Sequence, residues 1–181
     1  MTSSVEDYLD RPLRALFDNV AGADPVPAAG SVIAAMGALA AGLTAKVAHR
    51  SASRLLDSEE IAGRADELRR RLEPLITADA VDYAAALAKR GGDRADALQS
   101  LSSELVIIVE TASEIAQLAS ALVTDGNPNL RYDADAAVRI AVTVAEIGGE
   151  LIGANVGDSE LSHRAHAAVA VARTAARGET A

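Results

Sequence analysis

Asp79 and Asp82 are the residues whose type and spacing best suit them to moving a proton. They stand three apart in Leu75-Ile76-Thr77-Ala78-Asp79-Ala80-Val81-Asp82, and so on one face if the stretch is helical. A carboxyl on an apolar face is partly desolvated, which raises its pKa and makes it a usable proton donor near neutral pH. A second carboxyl in the same cleft pushes one of the two higher still. If both face water they are ordinary surface acids, and spacing alone leaves the two readings open. A second constellation is Asp125-Gly126-Asn127-Pro128-Asn129-Leu130-Arg131-Tyr132-Asp133, the densest polar loop in a chain that otherwise reads as alanine-rich helix. Gly126 and Pro128 stop a helix, and Asn127, Asn129 and Asp133 offer hydrogen-bonding side chains around the turn. Such a loop either binds a ligand or joins two helices, with Asp133 as N-cap of the second. A third group is basic. Lys46, His49, Arg50 and Arg54 gather near the end of an apolar stretch, where they could neutralise a carboxylate-bearing ligand or favour a helix C-terminus.

Other chemistries lack their residues. Of three histidines, only His163 completes a Glu-x-x-His pair, with Glu160, whereas a di-iron bundle needs two such pairs and two more glutamates. No metal site is expected, and His163 and His166 read as solvated residues on a late helix. There is no cysteine, no Gly-x-Ser-x-Gly elbow and no Gly-x-x-x-x-Gly-Lys loop. A net charge of -9 repels phosphate backbones, so no nucleic-acid partner is expected. The first residues carry acids and no hydrophobic signal region, which with the absence of cysteine leads us to expect a cytoplasmic protein.

The elements that must position these groups are helices. The chain of 181 residues reads as one domain over 1–181, 50% hydrophobic but 2% aromatic, so its core is built from Ala, Leu, Val and Ile. Small side chains give a thin core per helix, which calls for several neighbours or a second subunit. A first helix is expected over Val5 to Val20, restarting near Pro12, then a loop from Ala21 to Gly30. Ser31 should cap a long apolar helix reaching about Ser53, with Gly37 and Gly42 packed against another helix backbone. Its most apolar window, Ser31 to Ala45, is short of a bilayer span and reads as a buried central helix rather than a membrane segment. Asp57 and Glu60 resemble a capping box opening a helix to about Arg90. Leu68, Leu72, Leu75 and Ile76 mark its buried face, Pro74 predicts a kink or break, and Gly91-Gly92 ends it. Asp93 should start a helix to about Val123, with Leu105 to Val109 deeply buried. Asp133 to Asn155 gives another helix, and Asp158 or Ser159 caps a last one to about Arg177. The sum is an all-α single-domain bundle of five or six helices.

Three segments in order carry a family resemblance. Pro25-Val26-Pro27-Ala28-Ala29-Gly30-Ser31-Val32 resembles the Pro-Gly-Gly-Gly-Ser segment of the formiminotetrahydrofolate cyclodeaminase / methenyltetrahydrofolate cyclohydrolase family. Thr77-Ala78-Asp79-Ala80-Val81-Asp82-Tyr83 is similar to its Asp-x-Asp-Ala-x-Ala-Phe helix. Gly126-Asn127-Pro128-Asn129 with Asp133, followed by a helix ending at Asn155-Val156, resembles its Gly-Asn-x-Asn…Ser-Asp segment and asparagine-bearing helix end. The resemblance implies an all-helical homodimer with a folate-like ligand where these three segments meet. It implies a tetrahydrofolate derivative as substrate, with no tightly bound cofactor. It gives an acid at Asp79 the role of helping expel ammonia from formimino-tetrahydrofolate to close the methenyl ring, while related members hydrate that ring to 10-formyl-tetrahydrofolate. Gly30 and Ser31 would present backbone and hydroxyl to the ligand, and Asn127, Asn129 and Asp133 would orient its polar edge. On charge alone, Lys46 or Arg50 would meet the glutamate tail. The chain departs from the pattern at Ala28, Ala29, Thr77, Tyr132 and Leu151. Two further readings stay open: a diverged enzyme acting on a non-folate substrate, and a non-catalytic helical binding or assembly protein.

Overall fold

A computed structural model describes residues 7–178. Six α-helices follow one another: α1 (Leu13–Val20), α2 (Ala29–His49), α3 (Ser58–Ala88), α4 (Gly91–Asp125), α5 (Arg131–Val156) and α6 (Glu160–Ala176), with 3-10 turns at Tyr8–Asp10 and Pro128–Leu130. No strand occurs among the described residues, and the expected start of the first helix at Val5 lies outside them. The restart expected near Pro12 is present, since Pro12 is the N-cap of α1.

α2 lies at the centre, packed on α3, α4 and α5, while α4 also packs on α5, α6 and α3. Ile33, Leu68, Leu72, Ile108, Ile115, Leu122 and Ile152 are the largest fully buried side chains of a core completed by valine, further leucine and isoleucine, and many alanines. α2 and α4 are both long and apolar enough to cross a membrane, so α2 exceeds the window read from the sequence. Within the bundle, 61% and 56% of those windows are buried. α1 stands apart: none of its residues is buried, and Leu13, Phe17 and Val20 face outward.

Several local expectations are corrected. Ser31 does not cap α2; the helix begins at Ala29, Ala28 is the N-cap without a side-chain bond, and the Ser31 hydroxyl is turned inward. α2 ends at His49 rather than near Ser53. Asp57 is the N-cap of α3 but makes no capping bond. α3 runs unbroken through Pro74, which sits on the exposed face, where solvent can serve the carbonyl left without an amide donor. Gly91-Gly92 opens α4 instead of closing α3, and Gly91, at φ 53°, supplies the left-handed backbone of the reversal. Within the Leu105–Val109 run Ile107 is 39% exposed, because a helix this long always turns one position outward. Gly37 meets a side chain rather than a backbone: a Cβ there would lie 2.8 Å from Leu72 Cδ1, whereas at Gly42 the nearest atom is Arg69 Cδ at 3.7 Å. α5 starts at Arg131 with Leu130 as N-cap, leaving Asp133 inside its first turn. Ser159 caps α6 as expected, accepting from the Ser162 amide.

Candidate functional site

The up-and-down path of α2 to α5 sorts the chain into two ends. The start of α2, the later part of α3, the start of α4 and the close of α5 share one end. The close of α2 and the α4–α5 corner share the other. At the first end a cavity of about 160 Å³ is walled by Ala28, Ala29 and Gly30 of α2 and its N-cap, Asp79 and Tyr83 of α3, Leu101 and Leu105 of α4, and Leu151 and Asn155 of α5.

Asp79 is the only acid in that wall, and it is 5% exposed. The Ser31 hydroxyl donates to its Oδ2 at 2.9 Å. Burial pushes the Asp79 carboxyl above the ordinary carboxylate range; hydrogen bonds from the Ser31 hydroxyl and amide pull it back down, and the charge of Asp82 pushes it up again. Gly30 makes the close approach possible, because a Cβ there would overlap the Asp79 carboxyl group. Gly30, Ser31 and Asp79 therefore form one unit. Its capacity is proton transfer: a buried acid, oriented by one hydroxyl, at the edge of a mostly apolar cavity.

The other expected site residues are elsewhere. Arg50 lies twenty residues beyond Gly30, which along a helix is about 30 Å, and Lys46 lies about 24 Å along. Both are exposed. The Asn127 amide donates to Ser51 Oγ at 2.9 Å and its side-chain nitrogen to the Arg50 carbonyl at 3.0 Å, while Asn127 Oδ1 accepts from the Asn129 amide at 3.0 Å. The asparagine loop thus clasps the far end of α2. Asn127, Asn129, Asp133, Lys46 and Arg50 do not line the Asp79 cavity within this chain. Asn127→Ala removes a cap and a helix-end clasp, so thermal unfolding should show a loss of about 1–2 kcal/mol, a fall in Tm of about 2–8 °C.

Departures from the family pattern acquire places. Ala28, Ala29 and Leu151 are cavity walls. Thr77 Oγ1 accepts from the Tyr8 amide and donates to Asp7 Oδ1, both at 2.9 Å, fastening the N-terminal turn to α3. Tyr132 is 86% exposed at the far end. Sequence reading passed over Tyr83, Leu101 and Leu105 as walls, and Glu104, whose Oε2 is buried without a hydrogen-bond partner. The available signal was Glu104 itself, an acid beside the most apolar run of α4.

Two larger cavities lack a buried acid. One of about 410 Å³, between α1 and the bundle, is walled largely by Leu9, Leu13, Leu16, Leu39 and Ile76. One of about 390 Å³ lies at the far end beside Arg54 and Arg131. Among the described residues no group of three or more His, Cys, Asp or Glu is arranged to hold a metal ion, and His163 pairs with Asp158 at 2.8 Å on the surface.

The described residues form a six-helix bundle enclosing a buried acid, Asp79, at one end. The fold matches the crystal structure of formiminotetrahydrofolate cyclodeaminase from Thermotoga maritima with a TM-score of 0.86 over 94% of each chain, at 19% identity, a likeness of fold. The formiminotransferase-cyclodeaminase family model matches residues 12–174, and the chain belongs to that family. No curated protein sequence matches it.

Proposed function

We propose that the protein carries out C–N bond chemistry on a one-carbon adduct of tetrahydrofolate, with Asp79 moving the proton. The observation that carries this reading is the buried Asp79 carboxyl, bonded by Ser31 and opening on the cavity. In the cyclodeamination direction, N10 adds to the formimino carbon on N5, giving a tetrahedral carbon that bears the amine. Asp79 protonates that amine, the C–N bond breaks, ammonia leaves and the methenyl ring remains. In the hydrolytic direction, water adds to the methenyl carbon, and Asp79 handles the proton as the C–N5 bond opens to 10-formyl-tetrahydrofolate. Both steps pass through a tetrahedral carbon between two nitrogens and need one group of raised pKa.

The cavity, about 160 Å³, falls below the 300–1,000 Å³ usual for whole-ligand pockets, so it suits the reacting ring while the rest of a folate stays outside. The same observation favours a second reading. Ala28, Ala29 and Leu151 narrow the space, as expected for a family member that cyclises or deaminates a smaller, non-folate substrate. A homodimer is part of the proposal; the outward apolar side chains of α1 and of Leu39, 72% exposed, give it surface to bury. A cytoplasmic setting accompanies it.

Following the ultraviolet absorbance of methenyl-tetrahydrofolate in both directions tests the reading. Turnover is expected, and Ala28→Gly with Ala29→Gly should improve it by lowering KM if the two methyl groups crowd the ring. Absence of both turnover and calorimetric folate binding, in the wild type and the widened variant alike, would sink the folate reading. It would leave the smaller substrate or a non-catalytic binding role.

A further inference from the structure

The far end of the bundle carries a cavity that the Asp79 chemistry does not use. It measures about 390 Å³ and is walled by Arg54 of the α2–α3 link, Val123 and Thr124 at the close of α4, Gly126 and Pro128 of the corner, and Arg131, the first residue of α5. Arg64, Arg69, Arg71, Arg139, Arg164 and Arg173 each meet a carboxylate within 4 Å. Arg54 and Arg131 share this cavity, no acid walls it, and neither has a carboxylate partner among the described residues. The Thr124 hydroxyl, on the same wall, is also without a hydrogen-bond partner among them.

The two arginine-bearing segments are tied together at Ser51, which is fully buried. Its hydroxyl accepts from the Asn127 amide at 2.9 Å and donates to the Val47 carbonyl at 2.8 Å. Its carbonyl accepts the Arg54 amide at 2.8 Å. On the other side the Arg131 amide donates to the Pro128 carbonyl, and the Leu130 amide to the Asn127 carbonyl at 2.9 Å. Gly126 lets the corner close on this node, because a Cβ there would lie 3.2 Å from Ser51 Oγ and 2.4 Å from the Leu122 carbonyl oxygen. The backbones carrying the two guanidiniums are therefore fixed before any ligand arrives, which lowers the ordering cost of binding. Both arginines are exposed, so one charge facing one charge would be screened to little. Two planar forks on one doubly charged oxyanion gain paired, charge-assisted hydrogen bonds instead.

We propose that this cavity is an oxyanion site that takes a small dianion, a dicarboxylate or a phosphate, gripped by Arg54 and Arg131 with the Thr124 hydroxyl as a further donor. Such a ligand joins the α2–α3 link to the start of α5 and braces the end of the bundle away from Asp79. The inference does not rest on the folate reading.

Arginine Nε–H NMR of the labelled protein tests it, with the two signals assigned by their loss in Arg54→Lys and Arg131→Lys. Inorganic phosphate and succinate are titrated separately, with ionic strength held constant by sodium chloride. Saturable shifts at Arg54, Arg131 and the Thr124 and Gly126 amides are expected. Saturation by phosphate alone assigns a phosphate ligand, and saturation by succinate alone a dicarboxylate. Each lysine variant, which keeps the charge and loses the fork, should bind about tenfold more weakly, and Arg54→Gln with Arg131→Gln about a hundredfold or more. At ten times its Kd the ligand should raise the wild-type Tm by about 3–6 °C. Shifts that neither anion saturates, or that sodium chloride alone reproduces, would overturn the inference, as would unchanged binding in the double glutamine variant. Saturable shifts at Gly30 and Asp79 with none at this corner would overturn it as well.

Discussion

Asp79→Asn should lower turnover by about 10²–10⁴-fold, the range for losing a general acid, while leaving the bundle folded. Asparagine matches aspartate in volume and its side-chain oxygen can still accept from Ser31, but it has no proton to deliver at neutral pH. The same substitution should raise stability at neutral pH. The folded-state pKa of Asp79 lies above its unfolded value, with burial the main cause. A carboxyl shifted in that direction binds its proton more tightly when folded. Its favourable contribution is complete below the unfolded value, about 3.9, and is lost as the pH rises through the folded value. Asparagine does not titrate, so the variant should gain on the wild type from about pH 4 upward and then level off. Thermal unfolding across pH 4–8 checks this; a difference in Tm that stays constant over the range contradicts it. Gain of stability with loss of turnover is the signature of a group held unfavourably for function.

Gly30→Ala should be nearly as damaging by a different route. A Cβ at position 30 would overlap the Asp79 carboxyl and come within 2.7 Å of its Oδ2. Asp79 has a short side chain, is buried and is bonded to the neighbouring Ser31, so it has little freedom to swing aside. Overpacking of this kind costs about 1–3 kcal/mol, which for a chain of this size lowers Tm by about 2–12 °C. Displacing the acid by an ångström should cost about a hundredfold in turnover. Gly63→Ala is the control: nothing lies within 4 Å of its Cβ, so it should stabilise α3 by about 0.5–1 kcal/mol. If Gly30→Ala behaves like Gly63→Ala, the close approach of α2 to Asp79 is not what shapes the site.

The helices were legible in the sequence because their apolar spacing repeats over many turns, as in Leu68, Leu72 and Ile76, all buried. Their ends were less so. Ser31, Asp57 and Asp133 are good capping residues by type, yet none makes a capping bond here. Ser31 is held by a partner forty-eight residues away, and that competition cannot be read locally. The site was half legible. Gly30-Ser31 and Asp79 meet because one lies at the start of α2 and the other in the later part of α3, the same end of an antiparallel pair. Within this chain the asparagine loop lies at the other end of the bundle from Asp79, because motif order carries no statement about ends. Counting reversals places the α4–α5 corner with the close of α2, where Asn127 binds the Arg50 carbonyl. The same count returns Asn155 to the Asp79 end.

The central claim is that ligand binds at the Asp79 end. Backbone amide NMR of the labelled protein, titrated with 5-formyl-tetrahydrofolate as a stable one-carbon adduct, reads this directly. Saturable shifts at Gly30, Ser31, Asp79, Tyr83 and Asn155 are the predicted result. Shifts confined to the Arg50, Asn127 and Arg131 corner, with none around Asp79, would contradict it.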